Sequence, residues 1–193
     1  MLREYNKLGG AAPRIESVHH LAFRCRDAEE TRRFYEDVLG LELAAALALD
    51  EISGTSAREK YMHVFFRMAD GNFVAFFDAP DHIDDPKLFD RKWGFDQHFA
   101  MAVGSREDLL SFQQRIMAAG VTCLGPLDHH FCHSIYFYDP NGVQVELTWR
   151  VPEHDRIMDD EKKAARDQIR AWSAETRDRK AARLKPAAKP GAA

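Results

Sequence analysis

Cysteine is scarce. Cys25, Cys123 and Cys132 are the only three in 193 residues, an odd number with no C-x-x-C pair, which fits a reducing compartment better than a disulfide framework. No stretch reads as a signal peptide or a membrane span, so the cytoplasm is the expected location and no membrane partner is expected. A basic excess is missing too. The formal net charge is −4, and no basic stripe runs through the part that should fold, which argues against nucleic acid. A small molecule is the expected partner. At 45% hydrophobic the chain holds enough apolar surface for one domain of two stacked modules without a covalent staple.

What is present is a β-α-β-β-β unit with a histidine at its start and a glutamate at its end. In Gln97-His98-Phe99-Ala100-Met101-Ala102-Val103 alternation sends Phe99, Met101 and Val103 to the core and His98 to the other face. Gly142 to Thr148 alternates likewise, with Val143, Val145 and Leu147 inward and Gln144, Glu146 and Thr148 on the polar face. The unit occurs twice. Laying His20 on His98 puts Ala22 on Ala100, Glu29 on Glu107 and Phe34 on Phe112, and a short slippage brings Gly40 to Gly120, each glycine ending a helix. Aligning the turn glycines Gly71 and Gly142 sets Ala75 opposite Glu146. Alanine binds no metal, so the repeat yields His20, His98 and Glu146 as metal ligands and leaves the fourth symmetric position empty.

Residues 1–17 read as a flexible arm, 18–150 as the domain, with modules at 18–80 and 95–149, and 151–193 as a charged helix and disordered tail. In the first module a strand over Val18 to Cys25 precedes a helix capped by Asp27 and carrying Phe34, Tyr35, Val38 and Leu39. A strand over Leu41 to Leu49, an inserted loop over Glu51 to Lys60, and a hairpin of Tyr61 to Met68 with Asn72 to Phe77 follow. Phe73, Ala75 and Phe77 share a side with His63 or Phe65, depending on register, and would line an apolar substrate pocket. The second module should hold a helix over Arg106 to Ala119, a strand near Thr122, a loop over Gly125 to His133, and a hairpin from Ser134 to Trp149. Asp159 to Arg183 carries a thin apolar stripe, as expected of a surface helix that docks on its own domain or on a second subunit.

Three segments together resemble the vicinal oxygen chelate superfamily, the glyoxalase, bleomycin-resistance and extradiol-dioxygenase group. They are His20-Leu21-Ala22-Phe23-Arg24 with Phe34 to Gly40, Asp96 to Ala100, and Ser134 to Glu146. The resemblance implies an α+β fold in which two tandem βαβββ modules form a curled mixed sheet, a cup around a metal site. Near the last ligand the chain is most similar to one-domain extradiol dioxygenases, on His129, Ile135-Tyr136, Asp139-Pro140, Gly142 and Glu146. His130 stands where that pattern commonly has glycine, so either His129 or His130 turns into the site. The resemblance further implies a homo-oligomer, a catechol and O2 as partners, Fe(II) or Mn(II) as cofactor, and His129, Tyr136 and His82 as catalytic groups.

Two imidazoles and a carboxylate on one face of an octahedral ion leave adjacent positions open, the donor set of non-haem Fe(II) oxygenases. A histidine, with an unperturbed pKa of roughly 6.5, suits proton transfer to and from a catechol. Two further classes stay open on the same fold: a glyoxalase-like isomerase, epimerase or other metal-dependent enzyme, and a bleomycin-resistance-type binding protein. Against the isomerase stands Ala75, because that chemistry uses a carboxylate from each module.

Overall fold

The structure, a computed structural model, describes residues 14–55, 57–82 and 85–183. Most of the expected N-terminal arm and the tail after residue 183 lie outside these.

Among the described residues eight strands form two four-stranded sheets. The first has order β1-β4-β3-β2, from β1 (His20–Cys25), β2 (Glu42–Glu51), β3 (Arg58–Arg67) and β4 (Phe73–Asp78). The second repeats the permutation as β5-β8-β7-β6, from β5 (His98–Ala102), β6 (Cys123–Asp128), β7 (Cys132–Tyr138) and β8 (Gln144–Arg150). In the first sheet β1 runs parallel to β4, while β4–β3 and β3–β2 are antiparallel, so the sheet is mixed. The helices are α1 (Ala28–Arg32), α2 (Arg106–Ala118) and α3 (His154–Arg183).

Two boundaries differ from expectation. The inserted loop is short because β3 already starts at Arg58, and the loop expected over 125–133 is largely strand, since β6 runs to Asp128 and β7 begins at Cys132. Polar β residues on an exposed strand look like a loop when burial is unknown.

The chain divides into two compact units: residues 1–98, 115–122 and 137–145, and residues 99–114, 123–136 and 146–193. In the first, Asp27 caps α1 as expected, its carboxylate accepting from the Glu30 amide at 2.6 Å. Beyond α1 the chain continues as π-helix over Arg33–Val38. The wider turn lets the consecutive Phe34 and Tyr35 both bury, edge to face at 5.3 Å. Tyr35 stacks on Phe66 at 5.3 Å and lies 4.8 Å from Phe76, closing a core with Val64 and Val74. Gly40 ends this helix in the left-handed conformation with φ +76°, as the repeat implies.

The turn Asp139 to Gly142 does more than reverse a hairpin. Asp139 is buried and accepts from the amides of Asn141 (2.9 Å) and Val143 (2.8 Å) and from the Tyr35 hydroxyl (3.1 Å). Asn141 accepts from the Arg26 amide (3.0 Å) and donates to the Thr31 hydroxyl (3.2 Å). Polar side chains thus tie this turn to the first helix, and Gly142 passes so close to the Phe89 and Asp90 backbone that no side chain fits there.

In the second unit Leu109 is fully buried, and Gln113 of α2 donates to the Gly125 carbonyl at 2.6 Å. Along α3 Ile157 is buried, whereas Ile169 and Trp172 are exposed. No helix of the described residues is long and apolar enough to cross a membrane.

Candidate functional site

Strand pairing fixes what shares a face with His20. Across β1 and β4 the partners are His20 with Phe73, Ala22 with Ala75 and Arg24 with Phe77. Across β4 and β3 they are Ala75 with Phe65 and Phe77 with His63. His63 and Phe65 therefore both lie on the face with Phe73, Ala75 and Phe77, and the alternative that sequence left open falls away. This face is opposite the one packed on Tyr35, so His20 points away from the apolar core, as alternation requires. His20 is exposed, its ring 6.0 Å from that of Phe65, and its Nδ1 is 2.9 Å from Nδ1 of the exposed His19. Ala75, by contrast, is 0% exposed. A carboxylate there would have to be buried.

His98, also in the first unit, has its ring fixed by the preceding turn. Nδ1 is 2.7 Å from the Gly94 carbonyl, which can only accept, so Nδ1 carries a proton and, in a neutral ring, Nε2 holds the lone pair. That is the tautomer a metal ligand needs, with the other nitrogen held by a backbone carbonyl.

The second unit assembles His129, Tyr136 and Glu146. Glu146 on β8 is 7% exposed and hydrogen-bonds the Tyr136 hydroxyl, which also lies 2.8 Å from His129 Nε2. A carboxylate oxygen accepts, so the Tyr136 hydroxyl donates to Glu146, and His129 Nε2–H donates to the tyrosine oxygen. Burial first, and then the charge of Glu146, push Tyr136 up to about 12. It stays a protonated donor throughout the physiological range. His130 is in the left-handed conformation, φ 70°, at the tip of the β6–β7 turn, which is the reason glycine suits its place. His129, not His130, reaches Tyr136.

His82 ends a short 3₁₀ turn, Pro80–His82, and its side chain lies outside those described. A cleft of about 810 Å³ lined by residues that include Arg26, Asp50, Lys60, Tyr61 and Asp78 involves none of the expected ligands. Among the described residues no three His, Cys, Asp or Glu side chains stand together as a metal-binding group. The donor chemistry of His20, His98 and Glu146 nevertheless suits a divalent cation. Sequence reasoning missed the Tyr35–Asp139 and Asn141–Thr31 contacts, for which an Asp-Pro-Asn-Gly turn gives no signal beyond hairpin chemistry.

The family model described as Glyoxalase/Bleomycin resistance protein/Dioxygenase superfamily matches residues 17–147. The chain belongs to this superfamily. Among curated proteins no relative matches. Solved structures of similar fold include a glyoxylase/bleomycin resistance protein/dioxygenase domain from Frankia sp. EAN1pec, with 16% identity, TM-score 0.56, and coverage of 72% of this chain and 100% of that one. Another is the fosfomycin resistance protein FosX from Listeria monocytogenes in complex with Mn(II) and sulfate, with 22% identity, TM-score 0.53, and coverage of 74% and 98%. At these identities the likeness concerns the superfamily fold.

Proposed function

We propose that this superfamily member is a metal-dependent extradiol dioxygenase that cleaves a catechol-type ring with O2. The observation that supports it is the His129–Tyr136–Glu146 line, a hydroxyl kept protonated between a histidine and a buried carboxylate. His20, His98 and Glu146 would hold the metal, Fe(II) first and Mn(II) as the alternative. When bound, such an ion supplies adjacent open positions for the two vicinal oxygens of a catechol and for O2. His129 takes a proton from the substrate and returns one, a task that suits an imidazole near neutral pH. Tyr136 orients that exchange by accepting from His129 Nε2–H, while its own proton, donated to Glu146, is not lost to ionisation. Phe65, Phe73 and Phe77 exclude water from the ring and favour an apolar substituent.

An isomerase with a carboxylate from each module is disfavoured by Ala75, whose site is closed as well as uncharged. The test is anaerobic reconstitution with Fe(II) or Mn(II), metal analysis, and a panel of catechols followed for a yellow ring-fission product. Product formation supports the reading. Metal-loaded protein that forms no such product with any catechol overturns it and returns the choice to another metal-dependent reaction or a binding role.

A further inference from the structure

The helix α3 (His154–Arg183) has 30 residues, about 45 Å at 1.5 Å per residue, and lies wholly beyond residues 17–147, the part that matches the superfamily. Ile157 and Thr176 are its buried residues, and every residue from Met158 to Glu175 is exposed. Its two long sides are unlike. Arg156–Asp160 (3.4 Å), Lys163–Asp160 (2.7 Å) and Arg170–Asp167 (3.0 Å) lie along one side, where ion pairs three or four residues apart support a helix in water. At about 100° per residue the opposite side carries Met158, Ala165, Ile169, Trp172 and Thr176, spaced seven, four, three and four residues apart. That is the spacing of a two-helix seam, with Lys162 in the one remaining place. The seam stands in water: Met158 is 44%, Ile169 66% and Trp172 57% exposed.

The two ends of α3 differ in charge. Asp155, Asp159, Asp160 and Glu161 outnumber Arg156 in the first two turns, and Arg177, Arg179, Lys180 and Arg183 outnumber Asp178 in the last two. The helix dipole favours this polarity within one chain, but it gives no reason to hold an indole beside an isoleucine in solvent. A second copy of the helix running the other way answers both features. A parallel copy would set acid on acid and base on base, whereas an antiparallel one joins unlike ends. With the two-fold axis between Ile169 and Trp172, each Ile169 meets the partner's Trp172 and each Asp159 lies near the partner's Lys180. Lys162 within the seam costs stability and leaves the pair reversible.

We propose that α3 pairs antiparallel with α3 of a second copy of this chain, about an axis between Ile169 and Trp172, and so makes a reversible dimer through a surface outside the superfamily domain.

The test uses the full chain in two variants, Asp159→Cys and Lys180→Cys, oxidised singly and as a mixture and resolved on a non-reducing gel, with wild type as the control for the native Cys123. The mixture should form a disulfide-linked dimer at least about tenfold faster than either variant alone, because antiparallel pairing raises the effective concentration of position 159 at position 180 and keeps like positions apart. Adding Ile169→Glu and Trp172→Glu to both chains should slow that cross-link at least about tenfold, with helix content unchanged by circular dichroism. High salt should slow it as well. A dimer made through other surfaces does not depend on Ile169 and Trp172, so the glutamate variant separates the two. Equal rates in the mixture and in the single variants, a mixed cross-link undiminished by the glutamates, or no cross-link above wild type overturns the proposal. The comparison of mixture with single variants decides the matter even if the glutamate variant loses helix.

Discussion

The two sheets share one strand permutation and differ in what they present. At the place where β8 carries Glu146, with Tyr136 and His129 beside it, β4 carries the closed Ala75 among Phe65, Phe73 and Phe77. Strand order depends little on the residues of the open face, and that face is an apolar surface in the first sheet and carries the His129–Tyr136–Glu146 line in the second. A repeat therefore predicts architecture more securely than it predicts equal chemistry at equivalent positions.

Exchanging the two equivalent positions is the strongest way to break the comparison. Glu146→Ala should abolish tight metal binding, measured by elemental analysis after Fe(II) loading, with the fold retained by circular dichroism. Ala75→Glu should not create a fourth ligand. It forces a carboxylate into a closed site and should lower stability by several kcal/mol in a urea titration, since an unpaired buried charge is far from compensated. Full metal occupancy in the Glu146→Ala protein would remove Glu146 from the ligand set.

Next in size are changes within the His129–Tyr136–Glu146 line. Tyr136→Phe and His129→Gln should keep the metal and slow catechol turnover by about 10²–10⁴-fold, the range for positioned proton transfer. With Tyr136 pushed up to about 12 in the metal-free protein, a spectrophotometric titration of that protein should show no ionisation of Tyr136 at pH 9 or 10, by comparison with Tyr136→Phe. Turnover within twofold of wild type in both variants would sink their roles.

Asp139→Ala leaves the Tyr35 hydroxyl and the amides of Asn141 and Val143 without their acceptor, and should cost roughly 3 kcal/mol of stability. Burial raises the Asp139 pKa, so the folded chain binds the proton more readily than the unfolded one. That contribution to stability is present below the ordinary carboxylate range and is lost as pH rises through it toward the raised value. Asp139→Asn should flatten this limb, which urea midpoints between pH 3 and 7 would reveal.

The smallest effect belongs to the aromatic face. His63→Phe should stabilise the protein by about 1 kcal/mol at pH 7, by removing Nε2, a buried nitrogen that meets no hydrogen-bond partner among the described residues. Because the folded His63 pKa is lowered, the unfolded chain holds more protons below about pH 6.5, so stability is full above that pH and falls as pH drops through it. The variant should lose this acid limb. An unchanged pH dependence of the thermal midpoint would show that His63 is solvated.

Local pattern alone determined a good deal about this protein. Alternation placed His20 and Glu146 off the core faces, the two glycine stops Gly40 and Gly120 ended their helices, and the repeat produced sheets of identical strand order. Each of these follows from periods of two or 3.6 residues and from the left-handed conformation that glycine tolerates. Tertiary structure alone decided the rest. Which rung His63 occupies depends on register across strands, and whether His129 or His130 reaches Tyr136 depends on one left-handed turn residue. The burial of Asp139 depends on Tyr35, far away in the chain, and the closure of Ala75 on neighbours from two other strands. Such facts arise from distances between residues remote in sequence, which no local period encodes.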